Sequence, residues 1–175
     1  FRRVLFRSLP GDDQDCINAV FSPDNTRAVT QTESYRARLW NSATGKELRT
    51  FGTSGYQVYA TAFSPDSKRL MLMATDGKTY IVDASNGQDL TTLKNHDSNS
   101  AAKGGQYSAD GSRMLTWHSN KTVRVWNAQT CELIYELNLA PQSIQSAQFS
   151  PDGSRLLTIL RSEEHTSELQ SQFRI

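Results

Sequence analysis

Lys121-Thr122-Val123-Arg124-Val125-Trp126-Asn127 sets polar against apolar residues in turn and closes on a tryptophan followed by a short polar side chain. Strict alternation puts successive side chains on opposite faces of an extended chain, so the stretch reads as a half-buried β-strand. Two relatives of it lie upstream, Tyr35-Arg36-Ala37-Arg38-Leu39-Trp40-Asn41 and Lys78-Thr79-Tyr80-Ile81-Val82-Asp83. From Trp40 to Val82 is 42 residues, and from Val82 to Trp126 is 44. A strand that returns at this interval is one piece of a repeat unit.

Working outward, each unit opens with a short apolar strand stopped by a turn: Ser22-Pro23-Asp24-Asn25, Ser64-Pro65-Asp66-Ser67, Ser108-Ala109-Asp110-Gly111 and Ser150-Pro151-Asp152-Gly153. Proline removes a ladder donor and presets a turn, so the strand ends there. The four serines are spaced by 42, 44 and 42 residues, and Gly45, Gly87 and Cys131 keep the same first two steps. Four strands per unit are predicted. They are Cys16 to Phe21, Arg27 to Thr32, Tyr35 to Trp40 and Glu47 to Phe51. The second unit has Val58 to Phe63, Arg69 to Thr75, Lys78 to Val82 and Asp89 to Leu93, with Asn86-Gly87 as a hairpin signal. The third has Ala102 to Tyr107, Arg113 to His118, Thr122 to Trp126 and Glu132 to Leu137; a fourth begins with Ile144 to Phe149 and Arg155 to Leu160.

The ends stand apart. Phe1 to Ser8 (FRRVLFRS) and Arg161 to Glu168 (RSEEHTSE) can be written as codons that are reverse complements over eight successive pairs. That pattern is expected of translated adapter sequence at both ends of an insert, so residues 1–8 and 161–175 are expected to be non-native. On this reading native termini and any signal peptide are missing, and function lies in residues 9–160. The totals bound the rest. Of 175 residues, 21% are charged and the net charge is +1, without a basic or acidic bias toward nucleic acid or a membrane surface. No apolar run is long enough to span a bilayer as a helix. Cys16 and Cys131 have no neighbouring cysteine, which argues against a CxxC metal or redox site. No compartment is fixed, with cytoplasmic the favoured expectation.

Phe-Ser-Pro-Asp at Phe21, Phe63 and Phe149, Arg-Leu-Trp-Asn at Arg38, Arg-Val-Trp-Asn at Arg124 and Thr-Gly-Lys at Thr44 resemble the motifs of the WD-repeat family. The resemblance covers about three and a half repeats between Leu9 and Leu160. It implies an all-β fold, a β-propeller fragment of four-stranded antiparallel blades near 16–51, 58–93, 102–137 and an incomplete 144–160, with the remaining blades outside the chain. It implies an innermost strand before each Ser-Pro-Asp turn, where Ala19, Thr61, Gly105 and Ala147 suit a crowded axis. It further implies a structural network of His, Ser or Thr, turn Asp and Trp. The third repeat comes nearest, with His96, Thr116 or His118, Asn120 for Asp, and Trp126. The second keeps Asp76 but has Val82 for Trp, and the first has Trp40 but Ser34 for Asp. A buried indole N–H needs an acceptor, so Trp40 and Trp126 should each find one.

Catalysis finds no footing in these residues. His118-Ser119 with Asp110 reads as a strand end and a turn, and single aspartates 42 residues apart cannot converge on one calcium ion. The cysteines and histidines lack the close pair spacing of a zinc site, and Lys103-Gly104-Gly105 is no phosphate loop, so neither metal nor cofactor is expected. The resemblance implies a non-catalytic scaffold that binds a protein or peptide partner. Its face comprises Gly52 to Gln57, Lys94 to Ser100 and Leu139 to Ser143, with the turns Glu33-Ser34, Asp76-Gly77 and Ser119-Asn120. Tyr35, Tyr56 and Trp117 are its candidate anchors, each weighed against a role in blade packing. The alternatives are a sensor domain of a multidomain signalling NTPase or kinase and, after it, a propeller enzyme drawing ligands from several blades.

Overall fold

The computed structural model describes residues 16–53, 55–93 and 100–161, and the backbone of 167–174. Its elements are strands throughout. The first sheet is β1 (Cys16–Phe21), β2 (Arg27–Thr32), β3 (Ala37–Asn41) and β4 (Glu47–Phe51). The second is β5 (Val58–Phe63), β6 (Arg69–Ala74), β7 (Thr79–Asp83) and β8 (Asp89–Leu93). The third is β9 (Ala102–Tyr107), β10 (Arg113–His118), β11 (Thr122–Asn127) and β12 (Leu133–Asn138). The fourth is β13 (Ser143–Phe149), β14 (Arg155–Arg161) and β15 (Ser167–Arg174). Each sheet is an antiparallel meander paired in chain order, with registers such as Val29↔Leu39, Met71↔Ile81 and Leu115↔Val125.

The fourth sheet departs from the expectation of two strands. β14 runs one residue into the stretch expected to be foreign, and β15 lies wholly within it. The physical reason is edge chemistry: the outer side of β14 is a row of backbone donors and acceptors, and β15 pairs with it from Arg155↔Arg174 to Arg161↔Ser167.

Each apolar core lies between successive sheets. Val29, Leu39 and Phe51 of the first sheet pack with Val58, Leu70, Leu72 and Val82 of the second. Met71, Met73 and Ile81 of the second pack with Ala102, Met114 and Trp126 of the third. Leu115, Val123 and Val125 of the third pack with Ala147 and Leu156 of the fourth. The alternation along β6 does this directly, sending Leu70 and Leu72 one way and Met71 and Met73 the other. A strand covered on both faces must be apolar on both, which is why Leu70-Met71-Leu72-Met73 runs unbroken. Gly105 sits where a Cβ would come within 2.7 Å of the Leu115 carbonyl oxygen of the neighbouring strand and 3.0 Å of the Met71 methyl of the adjoining sheet, so β10 itself leaves no room for a side chain.

The four Ser-x-Asp turns share one geometry. Ser22 Oγ donates to Asp24 Oδ1 at 2.6 Å and accepts from the Arg27 N–H at 2.9 Å, while Asp24 Oδ1 accepts from the Thr26 N–H at 3.0 Å. Ser64 with Asp66, Ser108 with Asp110, and Ser150 with Asp152 repeat it. The aspartates cap their own turns. Hydrogen bonds from serine, the largest influence, hold the Asp24, Asp110 and Asp152 carboxyls down at about 2. In the turns after the third strands, Cys131 adopts φ 60° where Gly45 and Gly87 adopt 68° and 75°.

Candidate interaction face

The strands define two ends. One carries the Ser-x-Asp turns and the turns after each third strand. The other carries the turns between second and third strands and the loops joining one sheet to the next, and it holds the residues singled out as a partner face.

Tyr35 sits in the β2–β3 turn at φ 59°, 46% exposed. Its backbone is held twice: the Tyr35 N–H donates to the Thr32 carbonyl at 2.9 Å, and the Tyr35 carbonyl accepts from Val58 of the next sheet at 2.7 Å. Tyr56, half-buried, stacks on Tyr80 with ring centroids 4.8 Å apart. Tyr80 donates its hydroxyl to Asp76 Oδ2 at 2.7 Å, and the Lys78 ammonium lies 3.5 Å from the same oxygen. Burial first, and then the Asp76 carboxylate, push the Tyr80 hydroxyl well above its usual range; burial likewise raises Tyr56. Sequence reasoning named Tyr56 and Asp76 but missed Tyr80, which joins them. The four-residue spacing from Asp76 to Tyr80 around Asp76-Gly77 was the available signal.

Trp117 belongs to the blade. A Cβ on Gly104 would come within 2.1 Å of its Cζ2, so the indole lies directly on that glycine, and the ring packs against the core between the third and fourth sheets. Asn120 Oδ1 accepts from the Thr122 hydroxyl at 2.6 Å and its N–H at 3.3 Å, the turn-capping role expected of an aspartate. His96 and most of the Lys94 to Ser100 loop lie outside the described residues.

The indoles resolve into two similar arrangements. Trp40 Nε1–H donates to Thr30 Oγ1 at 2.9 Å, and Trp126 Nε1–H donates to Thr116 Oγ1 at 2.9 Å. In the third sheet the chain continues: Thr116 Oγ1 lies 2.8 Å from His118 Nε2, and His118 Nδ1 lies 3.2 Å from the Ser100 carbonyl oxygen. A carbonyl only accepts, so Nδ1 carries the proton and Nε2 accepts from the Thr116 hydroxyl. Burial, reinforced by the Arg124 charge, brings His118 down to about 4, which keeps it neutral. In the second sheet the positions of Thr and Trp are Leu72 and Val82, both fully buried. Donor and acceptor are lost together, and hydrocarbon fills both places. Asp76 therefore serves Tyr80 rather than an indole.

His118 and Asp110 stand near opposite ends of β10, ~17 Å apart for a strand of this length. With both imidazole nitrogens engaged, His118 is no general base for Ser119. Among the described residues no group of three His, Cys, Asp or Glu side chains converges to hold a metal.

At the Ser-x-Asp end, the first residue of each second strand is an arginine. Arg27 Nη2–H donates to the Ser85 carbonyl at 3.5 Å, Arg69 Nη1–H to the Ala128 carbonyl, and Arg113 Nη1–H to the Gly153 carbonyl at 3.3 Å. Each reaches the following sheet. Sequence reasoning used these arginines only as strand starts, although their own spacing of 42 and 44 was a signal. Clefts of about 360 and 290 Å³ open beside Arg27 and Arg69, between the first and second and the second and third sheets.

No protein-family model matches the chain. Over 140 residues, 79% of its length, it is 29% identical to the serine-threonine kinase receptor-associated protein of Gallus gallus. Over 89% of its length it is 29% identical to an uncharacterized WD repeat-containing protein of Deinococcus radiodurans. The chain is similar to WD-repeat proteins. Its repeats span 39% of the chicken protein and 69% of the bacterial one. Their fold matches solved propellers: U3-55K at TM-score 0.72 and 18% identity over 96% of the chain, and the RRP9 WD40 repeats at 0.72 and 17% over 93%. They cover 56% and 53% of those two chains. Hydrazine synthase of Kuenenia stuttgartiensis shares the fold at TM-score 0.72 and 20% identity, so propellers of this shape also occur within an enzyme.

Proposed function

We propose that these WD repeats form a non-catalytic platform for a protein or peptide partner, docked at the loop end with Tyr35 as its exposed anchor. The observation that carries this reading is the Tyr35 ring, 46% exposed on a backbone fixed from both its own turn and the neighbouring sheet. A large ring presented rigidly loses little freedom on binding, which is what makes tyrosine a strong anchor. The Tyr56–Tyr80 stack and Asp76 supply apolar area and an anionic rim on the same end. The name of the chicken relative, a receptor-associated protein, and the scaffold character of WD repeats favour a protein partner.

The test selects peptides from a displayed library against the chain and then compares binding to two variants. Tyr35→Ser at the loop end should weaken the selected peptides at least ~10-fold, about 1.4 kcal/mol. Tyr135→Ser, on the exposed outer strand β12, should leave them unchanged. Peptides insensitive to Tyr35→Ser, or lost with Tyr135→Ser instead, would overturn the assignment.

A further inference from the structure

Four repeats place an aromatic residue just before the Ser-x-Asp turn. Three use phenylalanine (Phe21, Phe63, Phe149) and the third uses Tyr107. The blade therefore needs the ring and does without a hydroxyl. Yet the Tyr107 side chain is only 9% exposed, and its hydroxyl is buried with no hydrogen-bond partner. A buried polar group left in that state destabilises the fold, so its presence calls for an occupant beside it.

The ring lines the 290 Å³ cleft between the second and third sheets, together with Asp66, Lys68, Arg69 and Asp110. The electrostatic neighbours of its hydroxyl include Arg69 and Asp66 of that same cleft. The charges there are already placed. Arg69 is held on the Ala128 carbonyl, Asp66 by Ser64 and the Lys68 N–H, and Asp110 by Ser108 and Ser112. Two cations and two anions sum to zero, so the cleft suits a ligand that itself carries both signs. Its volume lies at the bottom of the range for ligand pockets, ~300–1,000 Å³, which favours a ligand far smaller than a nucleotide.

We propose that this cleft binds a small zwitterion of free amino-acid size, with the Tyr107 hydroxyl as the contact that selects it. The ligand's carboxylate faces Arg69, Lys68 and Tyr107, and its ammonium faces Asp66 and Asp110. The cleft between the first and second sheets is the internal comparison: it keeps Asp24 and Arg27, but Phe63 occupies the register of Tyr107. The site lies at the strand ends opposite Tyr35 and is independent of the partner face.

The experiment titrates the full chain calorimetrically with each of the twenty common amino acids, and with acetate and methylammonium as half-ligands. At least one amino acid should bind saturably with Kd below ~1 mM, and neither half-ligand should match it. Tyr107→Phe restores the residue used by the other repeats and removes the unpaired hydroxyl, so it should leave Tm unchanged or raise it while weakening binding at least tenfold. Lys68→Gln, at an exposed position, should weaken binding as well. Absence of saturable binding by any amino acid, equal affinity for acetate, or undiminished binding to Tyr107→Phe would each overturn the proposal, leaving water as the partner of Tyr107.

Discussion

The relay Trp126–Thr116–His118 offers the sharpest energetic test. Thr116→Val keeps the shape of the side chain and removes its hydroxyl. Two groups then lose their partner at once, the indole N–H donor and the imidazole Nε2 acceptor. Thr116 is fully buried and Trp126 and His118 are each 2% exposed, so water does not reach either group. Each buried orphan costs about 1–3 kcal/mol, giving about 2–6 kcal/mol for the substitution. Trp126→Phe made on top of Thr116→Val should cost less than Trp126→Phe alone, because the N–H it deletes is by then unpaired. The interaction energy should be about 1–2 kcal/mol. Urea unfolding followed by tryptophan fluorescence and circular dichroism reads all four corners of the cycle. A Thr116→Val cost below ~0.5 kcal/mol, the range of surface changes, would refute the relay, as would additivity within ~0.3 kcal/mol.

Other outcomes are expected from the same structure. His118 falls from 6.5 to about 4 on folding, so between those values the unfolded chain binds more protons than the folded one. Its contribution is fully present above pH ~6.5 and is lost as pH falls toward 4; the full difference is about 3 kcal/mol, read as wild type minus His118→Gln across that window. A contribution that grew on acidification would contradict the burial described. Gly104→Ala drives a methyl into the Trp117 ring, so it should lower stability by about 1–3 kcal/mol and shift the fluorescence of that tryptophan. An unchanged melt and spectrum would show that the ring does not rest on the glycine. β1 exposes Ile17 (57%) and Phe21 (48%), so the chain should self-associate in sedimentation, and Ile17→Lys should reduce it. A monodisperse monomer at all concentrations would count against that surface being adhesive.

What could be read beforehand follows from what a period encodes. The serines at 22, 64, 108 and 150 locate the turns, and alternation between them locates the strands, so β1, β2, β4, β5, β8, β9 and β10 begin and end where expected. Alternation even carries the core assignment of β6. Side-chain reach across sheets is another matter. Nothing in Arg69 itself says that its guanidinium crosses to Ala128, since that depends on how far one sheet is offset from the next. Thr30 was overlooked as the acceptor for Trp40, although Thr116 stands at the same ten-residue distance from Trp126. The rings divided by surroundings that sequence alone does not supply: Tyr35 faces solvent, while Trp117 lies on Gly104, its register partner in the neighbouring strand. Phe63 and Phe149, natural candidates for full burial, are half-covered against the sheet cores.

The Leu72–Val82 pair also constrains how one kind of blade can turn into the other. Suppose a Thr–Trp blade is converted one substitution at a time. Losing threonine first strands an indole N–H in hydrocarbon, whereas losing tryptophan first leaves a hydroxyl that can rotate toward a strand carbonyl. The two routes are thus unequal, and the passable one removes tryptophan before threonine. The second blade has the composition on which such a walk would end, and a threonine facing an aliphatic residue would be its halfway form. Repeats within one chain would then diverge in a preferred order, set by which partner tolerates being left alone.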